Sequence, residues 1–277
     1  MKLGTAIVGN DRKFIRKINR WEFTDVPPNN TMLIDYNYEF RELNGDIIFD
    51  IPVPEIQNVR DFYSFESHVK NSRKRRGLDM EPEWYNIPAY YYQNRSSVLP
   101  TEREIKYPSF TKKLDLEVEL AFVIGKSGIN LSRENAIDNV LGFMLANDWT
   151  ARDIQKSEMK IGLGPSKSKD FATSLGPYIT TIDELSHKIE KGRIYLEIEL
   201  FINGVKIRTL STEDMYWTIN DLVSYASKDC EIKLGDVFMT GTLAGGSQAE
   251  LDEDFLKKGD LVEIRSKELG ILKNRVV

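Results

Sequence analysis

Residues 114–125, LDLEVELAFVIG, alternate apolar and acidic side chains and then turn wholly apolar. Alternation at period two marks a strand with one wet face, and the apolar run that follows marks its entry into a core. A chain built around such a strand needs a sheet that is covered over much of its length. Elsewhere strand and helix patterns do not alternate regularly, and no glycine-rich phosphate loop appears. The pattern favours a β-rich α+β fold over a doubly wound one.

Short strands are expected at GTAIVG, TMLIDY and YEFREL, with PPNN at 27–30 as a breaker and Asn44-Gly45 as a hairpin signal. The two prolines of IPVPEI (51–56) exclude helix and central strand, so this segment reads as a linker. The expected division is a small N-terminal β unit over 1–55 and a larger domain over 56–277. Within the latter, SRENAIDNVLGF reads as a helix capped by Ser132, with Ile137, Val140 and Leu141 at helical spacing. RIYLEIELFINGVKI reads as a strand pair turning at Asn203-Gly204. TEDMYWTINDLVSYAS reads as a helix, with Met215, Ile219, Leu222, Val223 and Ala226 on one stripe. Short strands return after it, separated by Gly-Asp turns at 235–236 and 259–260.

Composition narrows the function classes. Hydrophobic residues make up 41% of the 277, enough for a sizeable core, while a net charge of −5 gives no electrostatic case for nucleic acid. The longest apolar run, VLGFMLA at 140–146, is far short of a membrane span. The N-terminus carries too short an apolar stretch for a signal peptide. A single cysteine, Cys230, excludes an internal disulfide and a cysteine metal cluster. A cytoplasmic protein acting on a small molecule is the expectation.

Histidine titrates nearest neutrality, and the chain has only two. His187 lies in the polar DELSHKIEKG. His68 ends DFYSFESH, seven residues after Asp61, and is followed by the basic run KNSRKRRG at 70–77. That run reads as a solvated or mobile loop, with an anion-meeting lid as the sharper alternative. Glu117 and Glu119 are two apart on the predicted strand and so share a face, an arrangement that suits a hard cation such as Mg²⁺, Mn²⁺ or Ca²⁺. Glu197 and Glu199 in LEIEL have the same spacing, and either pair alone is an ordinary solvated strand face. ANDWTARDIQKSE (146–158) places Asp148, Arg152, Asp153 and Gln155 together at a strand-to-helix junction. Asp148 there is either a site residue or simply a helix cap.

LDLEVELAFVIG, NDWTARDIQ, KDFATSLGP, MYWT and GDVFMTGT, in this order, resemble the fumarylacetoacetate hydrolase family over roughly residues 56–265. The resemblance implies that family's mixed β-sandwich roll with a small N-terminal β domain. It chooses Glu117 and Glu119 over the LEIEL pair as metal ligands, and adds Asp148 and Asp61. It implies His68 as general base, with Glu250 as its carboxylate partner and Glu253 in reserve. It implies Lys169 as a catalytic cation, and Tyr91, Arg152, Gln155 and Thr242 as substrate-binding residues. The chain departs from the family pattern in one extra residue before Lys169, in Asp170 after it, and in a shortened segment after Thr242.

What the resemblance implies chemically is Mg²⁺-assisted hydrolysis of a carbon–carbon bond in a 1,3-dicarbonyl acid of the fumarylacetoacetate or acylpyruvate type. Ca²⁺ and Mn²⁺ are the alternative metals. The competing activity on the same scaffold is a decarboxylase, hydratase or dehydratase of 2-oxo acids, including 2-oxo-3-deoxy sugar acids. A silent ligand-binding protein is the third class. The resemblance also implies a homodimer, with MYWT and its helix near the subunit contact.

Overall fold

The computed structural model describes residues 1–251 and 253–277. The acidic-then-apolar strand runs from Val118 to Ile124, between Val140–Asp148 and Val237–Thr242, and is antiparallel to both. Its Leu120, Phe122 and Ile124 enter one hydrophobic core, and Ala121 and Val123 enter another. Burial on both faces is why alternation gives way to a continuous apolar run. Phe122 lies between Phe143 and Phe238, with ring centroids 6.0 and 5.3 Å away. Full burial of one such side chain contributes about 1.5–3 kcal/mol.

Twelve strands form the largest sheet among the described residues. From one edge the path runs Tyr90–Tyr92, Val59–Phe62, Val237–Thr242, Val118–Ile124, Val140–Asp148 and Thr173–Thr181. It continues through Lys2–Val8 and Asp11–Lys17, so the first hairpin of the chain extends the same sheet, with Leu3 opposite Ile179. A four-stranded sheet, Val205–Ser211, Glu197–Ile202, Leu261–Ser266 and Gly270–Arg275, covers one face. Ile198, Leu200, Val262, Ile264 and Leu272 from it share the first core with Phe143 and Leu145. On the opposite face Leu3, Phe14, Met32 and Leu33 pack with Val123, Met144 and Met239.

The described residues contain four α-helices: α1 (Glu66–Arg75), α2 (Arg152–Ile161), α3 (Ile219–Ala226) and α4 (Gln248–Leu251). Thr218 and Asp221 close a capping box on α3, which starts the helix later than its apolar stripe suggests. The basic run is helical: Arg73, Lys74 and Arg75 form the last turn of α1, where the helix dipole favours cations.

Three further local expectations differ from the structure. The segment after Ser132 makes a single 3₁₀ turn, Ala136–Asn139, and then enters a strand. Val140 pairs with Ile124, and the Leu141 carbonyl accepts from the Ile182 N–H at 2.9 Å; those contacts override their helical spacing. TMLIDY is wound into a 3₁₀ turn, Asn30–Leu33, because the Asn29 side chain accepts from the Thr31 N–H at 3.0 Å. Asn44-Gly45 is a turn with Gly45 at φ 88°, but the strands around it, Arg41–Glu42 and Ile48–Phe49, pair with different neighbours. By contrast Asn203 and Gly204, both at positive φ, turn the Glu197–Ile202 and Val205–Ser211 hairpin as expected.

Candidate active site

Three of four consecutive strands carry the acidic residues, and the fourth, Val237–Thr242, lies between Val59–Phe62 and Val118–Ile124. Asp61 lies on Val59–Phe62, Glu119 on Val118–Ile124 and Asp148 at the end of Val140–Asp148. Register aligns Asp61 with Met239 and Tyr91, and Glu119 with Thr242 and Ala146. One carboxylate oxygen from each of Asp61, Glu119 and Asp148 lies within 4.8 Å of the others, and all three residues are buried. Gly241 makes the close approach possible. At φ +88° it has no Cβ, which would otherwise sit 2.6 Å from the Phe62 carbonyl oxygen, and its N–H donates to Glu119 Oε2 at 3.1 Å.

The polar contacts leave this cluster short of positive charge. The Tyr91 hydroxyl is 2.6 Å from Asp61 Oδ2 and 2.7 Å from Asp148 Oδ2, yet has one proton to donate between them. Gln93 donates to Asp148 Oδ1 at 2.6 Å, and Thr242 donates to Glu119 Oε1 at 3.2 Å. Asp61 Oδ1 is buried with no hydrogen-bond partner. Burial and the neighbouring Asp148 push the Asp61 carboxyl well above its ordinary range. Burial, with Asp61 and Asp148 nearby, does the same to Glu119, and burial also raises Asp148 despite the Lys169 ammonium. A hard divalent cation bound by oxygen alone fits this donor set, since it would remove the repulsion and occupy the orphaned oxygen.

Glu117 stands apart from that trio in its bonding. The Lys169 ammonium contacts both Glu117 Oε2 and Asp148 Oδ2, and donates to Thr150 Oγ1 at 2.9 Å. Arg152 Nη2 is 2.8 Å from Glu117 Oε1. Burial alone would raise the Glu117 carboxyl, but Lys169 and Arg152 outweigh it and hold it far below the usual carboxylate range. Lys169 is itself held protonated: burial disfavours its charge, and Asp148 and Glu117 more than restore it. Lys169 thereby links Glu117 to the trio. The N-cap of α2 is Ala151, so Asp148 is not the helix cap.

His68 sits in the first turn of α1, buried, with Nδ1 2.7 Å from Glu250 Oε2. Glu250 also accepts from Asn71 Nδ2 at 2.9 Å and from the Gly245 N–H at 2.8 Å. Burial would raise its carboxyl, but the His68, Asn71 and Gly245 contacts lower it overall. The Tyr63 ring stands edge-on to His68 at 5.7 Å, and burial raises its phenol. The helix that carries Glu250 is tied to the acidic cluster through Asp115, which accepts from the Gln248 and Ala249 N–H groups and from Arg152, the partner of Glu117. Glu253, just after α4, is engaged by Arg208 instead.

The remaining expected residues fall nearby. Gln155 Oε1 accepts from Arg152 Nη1 at 3.0 Å, and Thr242 borders Glu119 as above. The control pair behaves differently: Glu197 is exposed, and Glu199 pairs with Lys206 at the surface of the four-stranded sheet. Sequence reasoning passed over Tyr63, Asn71, Gln93 and Asp115. Tyr63 lies within DFYSFESH and Gln93 two residues after Tyr91, whereas Asn71 belongs to the run read only as basic.

A family model described as "Fumarylacetoacetate (FAA) hydrolase C-terminal" matches residues 57–277. A mitochondrial oxaloacetate tautomerase of Xenopus laevis is 35% identical over 190 residues, covering 69% of this chain and 58% of that protein. The chain thus spans a little over half the length of that relative. A fumarylacetoacetase of Dictyostelium discoideum is 28% identical across 90% of this chain and 67% of its own length. The solved fumarylacetoacetate hydrolase of Exiguobacterium antarcticum has the same fold, with a TM-score of 0.79 at 23% identity over 100% of this chain and 99% of that one. A fumarylpyruvate hydrolase of Pseudomonas aeruginosa, solved in complex with Mn²⁺ and pyruvate, gives a TM-score of 0.67 at 25% identity, covering 84% of this chain and 93% of that one.

Proposed function

The chain belongs to the fumarylacetoacetate hydrolase family, and on that premise we propose that it hydrolyses a carbon–carbon bond in a 1,3-dicarbonyl acid of the fumarylacetoacetate or acylpyruvate type. The observation that carries this is the buried His68–Glu250 pair, joined through Asp115 and Arg152 to Glu117 of the carboxylate cluster. Asp61, Glu119 and Asp148, with Glu117 as a fourth, would hold Mg²⁺ or Mn²⁺. When bound, the cation supplies Lewis-acid polarisation of the substrate's oxygens.

The protein's own groups do the rest. Glu250 accepts from Nδ1–H of His68, which leaves Nε2 unprotonated and able to take a proton from water. The resulting hydroxide adds to the acyl carbonyl carbon. Cleavage then releases a carboxylate and the enolate of an oxo acid, pyruvate from an acylpyruvate or acetoacetate from fumarylacetoacetate, which is protonated at carbon. Lys169, kept charged by its carboxylate neighbours, faces the negative charge that develops on the enolate. Tyr91, Arg152, Gln155 and Thr242 orient the substrate in this reading. A general base of this kind is worth roughly 10² to 10⁴ in rate.

A second reading has support in the tautomerases among the relatives. The same base can move a proton between carbon and oxygen of a 2-oxo acid without activating water, and decarboxylation or dehydration would also use the cluster. Incubation with acylpyruvates, fumarylacetoacetate and oxaloacetate in the presence of Mg²⁺ or Mn²⁺, followed by NMR of the products, separates them. Pyruvate or acetoacetate appearing in equal amount with a second carboxylate supports hydrolysis. Enol–keto exchange or CO₂ release alone favours the second reading. A homodimer and a cytoplasmic setting belong to the same proposal, and light scattering reads the former.

A further inference from the structure

Asp115 is fully buried and its carboxylate is saturated by four N–H groups from three parts of the chain. Oδ1 accepts from the N–H of Leu116 at 2.8 Å and of Gln248 at 3.1 Å. Oδ2 accepts from the Ala249 N–H at 3.0 Å and from Arg152 Nε at 2.7 Å. Nothing remains on it for a cation or a substrate, so its role is exercised through its partners.

Those partners belong to the two halves of the site. Gln248 and Ala249 open α4, whose third residue is Glu250. A four-residue helix has no stability of its own, because nucleation costs more than so few hydrogen bonds return. Its first N–H groups need outside acceptors. Ser247 Oγ takes the Glu250 N–H at 3.3 Å, and Asp115 takes the two before it. On its other side Asp115 holds Arg152, which reaches Glu117 at 2.8 Å and Gln155 at 3.0 Å.

We propose that Asp115 is a positioning residue that sets the His68–Glu250 pair in register with the Arg152–Glu117 edge of the acidic cluster. This rests on the reading of His68 and Glu250 as base and partner. In Asp115→Asn one end of the side chain would present a donor to donors. Either the Leu116 and Gln248 N–H groups, or the Ala249 N–H and Arg152 Nε, would then face a donor in place of their acceptor. Gln248→Pro makes a narrower cut: it removes a single N–H at the first position of α4, where proline is well tolerated, and keeps the Asp115–Arg152 pair.

The test is a long-range ¹H–¹⁵N NMR spectrum of the imidazoles in the full chain with Mg²⁺, assignable because only His68 and His187 contribute. Wild type should show His68 as a single Nδ1–H tautomer. Both variants should show a mixture of tautomers, and on a turned-over acylpyruvate a kcat loss on the order of 10²-fold with a much smaller change in KM. A purely structural role would lower the unfolding temperature and leave tautomer and pH profile unchanged, which would overturn the proposal. Should Asp115→Asn fail to fold, Gln248→Pro decides. The spectrum reads the hydrogen bond without turnover. An error in the assigned reaction would therefore appear as missing product while the tautomer result stood.

Discussion

His68 Nδ1 and Glu250 Oε2 lie 2.7 Å apart although 182 positions separate them in the chain. The contact joins the first turn of α1 to α4, and both residues are buried. A buried carboxylate that also receives Asn71 and Gly245 is fixed in orientation, and it fixes the imidazole in turn.

Replacing the carboxylate tests this directly. Glu250→Gln should lower kcat by about 10²-fold or more, with cation binding retained. It also has a pH signature. The Glu250 carboxyl is lowered in the folded protein, so the stability it contributes is present above the ordinary glutamate value of about 4.3 and lost as pH falls through its folded value. Thermal unfolding followed below that pH should therefore show a steeper loss for wild type than for Glu250→Gln.

The acidic trio makes the opposite prediction. Asp61, Glu119 and Asp148 are raised by burial and mutual repulsion, so the cation-free folded chain holds protons that the unfolded chain releases. Their contribution is most favourable below the ordinary carboxylate values and is lost as pH rises through the raised ones. Mg²⁺ or Mn²⁺ should bind with release of protons, more tightly at higher pH, and should raise the unfolding temperature. Calorimetry in buffers of different ionisation enthalpy measures the protons released.

The two Glu-x-Glu pairs provide a matched control. Glu119→Gln should abolish stoichiometric cation binding, whereas Glu197→Gln, on an exposed position of the four-stranded sheet, should leave it unchanged. Isothermal titration of both variants with Mn²⁺ reads the difference.

On the strand that carries Asp61, Arg60 Nη1 pairs with Asp236 Oδ2 at 2.8 Å, with both side chains buried. Asp236 also accepts from Asn58 and from the Lys233 N–H. Asp236→Ala would leave the guanidinium uncompensated and should cost about 3–5 kcal/mol, measured by denaturant unfolding.

Much of this was legible in one dimension where a local period carries the information. The strand at 118–124 announces itself because it is buried on both faces, and the 197–211 hairpin because Asn203 and Gly204 suit its turn. The segment after Ser132 misleads because helical spacing and the start of a core strand both place apolar residues at 140 and 141. Asp115 is opaque in the sequence for a different reason. Its meaning lies in Gln248 and Ala249, 133 and 134 positions away, and no local pattern records such partners. Tyr63 and Gln93 were likewise invisible until folding brought them to His68 and Asp148.

The central claim is that His68 activates water beside a cation held by the carboxylates. The decisive measurement is single-turnover cleavage of an acylpyruvate by His68→Ala, alongside Mn²⁺ titration of the same protein. The account predicts that the variant binds Mn²⁺ as wild type does and loses between about 10² and 10⁴ of the cleavage rate. A variant that binds the metal and cleaves the carbon–carbon bond at the wild-type rate would contradict it.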